Sequence, residues 1–300
     1  MKEAAVQPIL KAMERELNKR ANPHLKNPFY YGGDKVYHDT LVRIGKPAVP
    51  YLIKKLECSD DAMKINAIYL LKSIGDTRAV KPFLSLLRSE NDNDLYQWLV
   101  EALASFFDKD PNLQKLCLTS GEEGNLSGIA RTFFDEEYEK NFENALAGYY
   151  VDGLSKDLSQ SYIKGKALVV VRPPERRIGN GLTMASQSMY EKLFFKGFPI
   201  ALKPSEVTTI VLLEYKERET QPYGVFGIGP VRGYANSYDC EISVIDTTRK
   251  VVVAETLIKG PELPSELTFS MPNSGAPGVV SFNPDVNLII DYLTSLKKIS

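Results

Sequence analysis

Three arginines ahead of a glycine pair are the residues in this sequence best placed to do chemistry. Arg172, Arg176 and Arg177 lead into Gly179-Asn180-Gly181, and guanidinium forks beside loop N–H groups can cradle an anion. Arg172, Arg176, Arg177, Gly179 and Gly181 are therefore the candidate ligand-binding residues, set against the alternative that the loop is simply solvated. Other chemistries lack their residue types. Histidine occurs only at His24 and His38, with no HExxH pattern or His-Cys cluster around either, so no metal site is expected. The GxxxxGK[ST] pattern is absent, and Gly227-Ile228-Gly229-Pro230-Val231-Arg232-Gly233 misses the GxGxxG spacing and leads into a strand. With no GxSxG elbow and no histidine in the second half, a serine or cysteine triad confined to that half is excluded. Asp239, Glu241 and Glu255 are expected on the wet face of a hairpin by strand alternation, set against the alternative of an acid-base pair. No catalytic residue and no cofactor is expected.

Composition narrows the class. The 300 residues are enough for two ordinary domains with full cores, and 43% hydrophobic with 25% charged residues is the make-up of a globular chain. Lys plus Arg (37) nearly cancels Asp plus Glu (38), which disfavours a nucleic-acid partner. Cys58, Cys117 and Cys240 are widely spaced, so neither a disulfide framework nor a CxxC knuckle is supported. The charged start lacks an apolar secretion core, and no stretch is long enough to span a bilayer. A cytoplasmic protein is expected, unless a signal sequence has been trimmed.

The first half carries helical periodicity. Val6, Ile9, Leu10, Met13 and Leu17 form one stripe, with Asn22-Pro23 as its stop. The aromatic loop Asn27-Pro28-Phe29-Tyr30-Tyr31-Gly32-Gly33 either closes the helical core or is exposed for binding. Two helical patterns then hinge on Gly75-Asp76: Ala67, Leu70, Leu71 and Ile74 before it, Val80, Phe83, Leu84 and Leu87 after it. Gly75 suits a left-handed helix end, Asp76 a cap, and Arg78 a bridge between neighbouring turns. The pattern recurs: Ile44-Gly45 matches Ile74-Gly75 at a separation of 30, and Ala48-Val49 matches Ala79-Val80 at 31. A worn third copy at 32 sets Ala102, Leu103, Phe106 and Asp108 against Leu70, Leu71, Ile74 and Asp76.

The run Ile74-Gly75-Asp76-Thr77-Arg78-Ala79-Val80-Lys81-Pro82-Phe83-Leu84 resembles the short HEAT-type repeat of the phycobilisome-lyase-like group. The match is good for Ala67 to Leu87, fair for Leu41 to Leu56, where Lys46-Pro47 replaces Asp76-Thr77, and poor after Phe106. The resemblance implies a stacked solenoid that binds other proteins, and implies lyase chemistry on bilins far less. A loop is expected from Lys115 to Ser127, around Thr119 to Asn125, and then a helix from about Asp135 to Leu154.

Near Lys164-Gly165-Lys166 the period changes from 3.6 to 2. Strands are expected at Ala167 to Val171, Phe198 to Leu202 and Val207 to Tyr215, and a hairpin at Tyr238 to Ile245 and Lys250 to Ile258. Helices are expected at Met184 to Lys196 and after Pro284-Asp285. The layout is similar to one found in bacterial envelope lipoprotein domains, without the lipidated cysteine. The sequence thus predicts a short α-solenoid of HEAT-like helix pairs over 1–160 and an α+β two-layer sandwich with a mostly antiparallel sheet over 161–300. The expected function is a non-catalytic adaptor that binds protein partners through the helical array, with no nucleic acid and no membrane span. The alternative is an anion or small-molecule carrier, or an enzyme, acting through the second half.

Overall fold

The computed structural model describes residues 3–19, 34–89, 93–172, 182–223, 233–264 and 278–300. The chain divides into two compact units, Met1–Glu137 and Tyr138–Ser300. The first is helical and the second combines helices with a mixed open sheet, so the protein is of mixed class.

In the first unit α1 (Val6–Lys19) and α2 (Asp34–Ile44) precede a repeated turn. The chain passes Gly45 (φ 73°), makes one 3₁₀ turn over Lys46–Ala48 and enters α3 (Val49–Lys55). It does the same after α4 (Asp61–Ile74): Gly75 is left-handed at φ 69°, Thr77–Ala79 is a 3₁₀ turn, and α5 (Val80–Ser89) follows. A positive φ costs glycine little, so the helix closes and reverses within a few residues. The helices α6 (Asn93–Ala104), α7 (Pro111–Ser120) and α8 (Ser127–Thr132) continue the series. The third turn is longer. Its cap is Asp110, which accepts from Asn112 N at 2.9 Å and Leu113 N at 3.2 Å, so the position of Asp76 is taken two residues later than the Asp108 of the sequence alignment.

The apolar stripes meet as their spacing requires. Helix α2 packs on α4, α4 on α6 and α6 on α8, while α3 packs on α4, α5 on α6 and α7 on α8. Leu70, Leu71, Phe83, Leu99, Leu103, Phe106 and Phe107 are buried between them. Phe83 and Phe106 bring the second and third copies together with ring centroids 6.2 Å apart. The aromatic loop at 27–33 lies outside the described residues.

No continuous helix runs from Asp135 to Leu154. A π turn (Phe133–Glu137), α9 (Tyr138–Phe142) and a 3₁₀ turn (Leu146–Gly148) replace it, and Tyr138 and Phe142 are buried. The stripe was real but brief: a short buried aromatic pair satisfies it without a long helix.

The second unit contains β1 (Ser155–Lys156), β2 (Tyr162–Lys164), β3 (Lys166–Arg172), β4 (Thr183–Met184), α10 (Gln187–Phe195), β5 (Val207–Tyr223), β6 (Gly233–Asp246), β7 (Val251–Ile258), β8 (Gly278–Phe282), α11 (Val286–Ser295) and β9 (Lys297–Ile299). The sheet order is β1-β7-β6-β5-β3-β4, with β8 beside the first part of β6, and β2 pairs with β9 separately. The sheet is mixed, which corrects the expectation of a mostly antiparallel one. Strands β5, β6 and β7 are antiparallel, but β3 runs parallel to β5, β1 to β7 and β8 to β6. For β3 and β5 the cause is the crossover through α10, because a strand, helix, strand passage returns the chain in the same direction. Phe198 to Leu202 contributes only a bridge from Ile200 to Ala167.

The Asp76 carboxylate is a local link between two turns of the helical unit. It accepts from Arg78 N at 3.1 Å and Nε at 2.9 Å, and Arg78 Nη2 also donates to Lys46 O at 3.1 Å, tying one repeat to the one before. Asp76→Ala should therefore lower stability by about 1 kcal/mol through the lost cap, somewhat more if the Arg78 bridge is released with it. Urea unfolding followed by circular dichroism measures this, and an unchanged midpoint would remove the capping role.

Candidate functional site

Of the five candidate ligand residues, Arg172 is described, and Arg176, Arg177, Gly179 and Gly181 lie outside the described residues. Arg172 ends β3, where register places it beside Glu214 of β5. Its Nη1 donates to Glu214 Oε1 at 2.8 Å and its Nη2 to Asp152 Oδ1 at 2.7 Å. The guanidinium is thus oriented by two carboxylates at the point where the chain leaves the C-terminal end of a parallel strand pair. The hairpin carboxylates are likewise matched to cations: Glu241 pairs with Lys216, Glu255 with Lys156 at 2.7 Å, and Asp239 with Arg218 at 3.7 Å. Asp239 also accepts from Gly260 N at 2.9 Å, so it holds the chain that leaves β7.

A dense polar network lies elsewhere, around Asp246 at the end of β6. This carboxylate is 1% exposed. Its Oδ1 accepts from Thr248 N at 2.9 Å, Thr248 Oγ1 at 2.6 Å and Arg249 N at 3.1 Å, and its Oδ2 from Tyr162 OH at 3.0 Å. Lys164 Nζ stands 3.9 Å from Oδ2. Arg249 extends the network, donating through Nη1 to Tyr162 OH at 3.0 Å and through Nη2 to Asp157 Oδ2 at 2.6 Å. Burial alone would raise the Asp246 pKa, but the hydrogen bonds from Thr248, Arg249 N and Tyr162 outweigh it and hold the carboxyl below its ordinary value. Asp157 is lowered to about 2, first by the Ser159 hydroxyl and then by Arg249. The sequence shows Asp246 only as a turn residue. The signal available in it was an Asp followed two and three residues on by Thr and Arg, an Asx-type turn, with nothing to announce Tyr162 more than eighty residues away.

Chemistry at the cysteines is set by burial. Cys117 and Cys240 are fully buried, and desolvation pushes each thiol up to about 12, far from a thiolate nucleophile. Among the described residues no group of three or more His, Cys, Asp and Glu side chains gathers as a metal ion would need. None of the helices among the described residues is long and apolar enough to cross a membrane.

A known protein shares part of this chain. The bilin biosynthesis protein PecE of Nostoc sp. is 48% identical over 59 residues, which is 19% of this chain and 23% of that protein. The match thus spans less than a quarter of the relative's length. No family model matches the chain, and no solved structure does. The likeness to PecE corrects the expectation of a non-catalytic adaptor. A segment shared at this level with a protein named for biosynthesis does not set the chain apart from chemistry.

The Asp246 network generates a pH dependence with a definite sign. A carboxylate whose folded pKa is depressed stabilises the fold above its unfolded value, near 3.8, and the contribution is lost as pH falls through the folded value. Stability should hold from neutrality to about pH 4 and fall progressively below it. Asp246→Asn should cost roughly 1–3 kcal/mol at pH 7, where hydrogen bonds to a buried charge are lost, and should flatten the acid limb. Urea titrations at pH 7 and pH 3 measure both effects, and parallel acid limbs in the two proteins would contradict the role given to Asp246.

Proposed function

We propose that the first unit is a HEAT-like array that docks a protein, and that the chain takes part in a biosynthetic step on a bilin or a similarly extended tetrapyrrole associated with that protein. The observation that carries this reading is the 59-residue likeness to a bilin biosynthesis protein. Its physical support is the repeated device of helix, positive-φ glycine, 3₁₀ turn and helix, with alternate helices packed in series and Arg78 tying one turn to the last. Such arrays expose an extended surface relative to their core and are suited to holding another chain. Co-expression of the full chain with enzymes that supply a bilin should yield a complex with long-wavelength absorbance, and cross-links from it should concentrate on residues 34–132. Colourless protein with cross-links spread evenly over both units would overturn the reading.

A second reading places an anion or anionic small molecule at Arg172, Arg176, Arg177, Gly179 and Gly181 of the second unit. It is favoured by where the segment starts, since ligands of open sheets bind beyond the carboxyl ends of parallel strands and Arg172 is the last residue of β3 beside β5. Millimolar phosphate or a nucleotide should then raise the melting temperature of the full chain, and Arg176→Ala with Arg177→Ala should abolish that rise. A rise that persists in the double variant, or none in the parent, would exclude the site.

A further inference from the structure

The two repeat turns of α2–α3 and α4–α5 carry an excess of exposed positive charge. Arg43 lies in the last turn of α2, Lys46 opens the first turn, Arg78 lies in the second and Lys81 is in the first winding of α5; all four are exposed. The two turns are joined, because Arg78 Nη2 reaches Lys46 O at 3.1 Å, and Arg43 and Lys81 each lie three residues along the chain from one of that pair. The single acid among them, Asp76, is consumed by its ion pair with Arg78 at 2.8 Å. Neither α3 nor α5 has an acidic residue in its first turn to offset these cations. With Arg78 matched by Asp76, the charges of Arg43, Lys46 and Lys81 are left in excess on the two turns.

The corresponding third turn reverses the sign: it holds Asp108 and Asp110 around Lys109. Between residues 93 and 137 the chain has nine Asp and Glu against three Lys and Arg. The positive ridge is therefore short and ends at an acidic neighbour. A nucleic-acid backbone is charged along its whole length and would run into that acidic continuation. A protein segment with a compact acidic patch matches the ridge without meeting it.

We propose that the turns bearing Arg43, Lys46, Arg78 and Lys81 form a docking ridge for an acidic surface of a protein partner. The inference rests on the array as the protein-docking part and adds the chemistry of what it holds. Its test uses the full chain and a fluorescein-labelled acidic peptide, a repeat of Glu-Gly, with oligothymidine of matched charge as the competing arm. Fluorescence anisotropy should show peptide binding at low salt that weakens about tenfold when NaCl rises from about 50 to about 200 mM. Lys46→Glu combined with Lys81→Glu should weaken it at least about tenfold again. Lys54→Glu with Arg88→Glu, at the far ends of α3 and α5, should change it less than about twofold, and unchanged melting of each variant separates docking from unfolding. Peptide binding unaffected by the Lys46 and Lys81 reversals, absence of peptide binding, or oligothymidine bound as tightly at the ridge would each overturn the proposal. Cross-links that map a partner to other faces of residues 34–132 would sink the ridge and leave the array reading standing, whereas even spreading over both units sinks the array reading.

Discussion

The second unit depends on a charge that has been taken out of water. Asp246 is buried at the end of the longest ladder in the sheet, and a carboxylate in that position is tolerated only because every direction around it offers a donor. Those donors come from separate parts of the chain. Thr248 and Arg249 shape the turn between β6 and β7, Tyr162 brings in β2, and Arg249 reaches Asp157 just after β1. Because β2 pairs with β9, the same carboxylate indirectly orders the last strand of the chain.

Next to it, the turn between β2 and β3 is fixed by geometry. Gly165 has φ 54°, and a side chain there would meet Thr208 Oγ1 at 2.4 Å. Thr208 and Thr209 use that closeness: both hydroxyls donate to Lys164 O at 2.7 Å, and Lys166 N donates to Thr208 Oγ1 at 3.0 Å. The start of β5 thereby sets where β3 begins, which in turn aligns Arg172 with Glu214. Positioning of the candidate anion-binding arginine is thus a consequence of packing at the opposite end of its strand.

The helical unit solves its problem differently. Its helices bury apolar stripes against neighbours one and two positions along the chain, and its polar links are short and repeated, as in Asp76 with Arg78 and Asp110 at the head of α7. Deleting one such link loosens one turn, whereas the buried network of the second unit joins segments far apart in sequence. Arg78 apart, the exposed cations on the first two turns stand out against this economy, since uncompensated charge of one sign does not stabilise a fold.

The helices flanking Gly45 and Gly75, those glycine turns, the Asp76 cap and the Arg78 bridge were legible in the residues, because each depends on neighbours within a few positions or one repeat away, whereas the end of α7 lay in a stretch that reads as a loop. The central strands β3, β5, β6 and β7 were legible for the same reason, through β-branched runs and the turn after Asp246. Tertiary structure alone decided the rest. Strand direction follows from which strands become neighbours after the α10 crossover, and the short strands β2 and β9 exist only because they meet each other. The helix expected after Asp135 shrank to α9, since burial of Tyr138 and Phe142 exhausts its stripe. A local pattern states what a segment can form, but which distant donors surround Asp246, and which cations crowd Lys46, is settled by chain closure over many residues, for which no periodicity carries a signal.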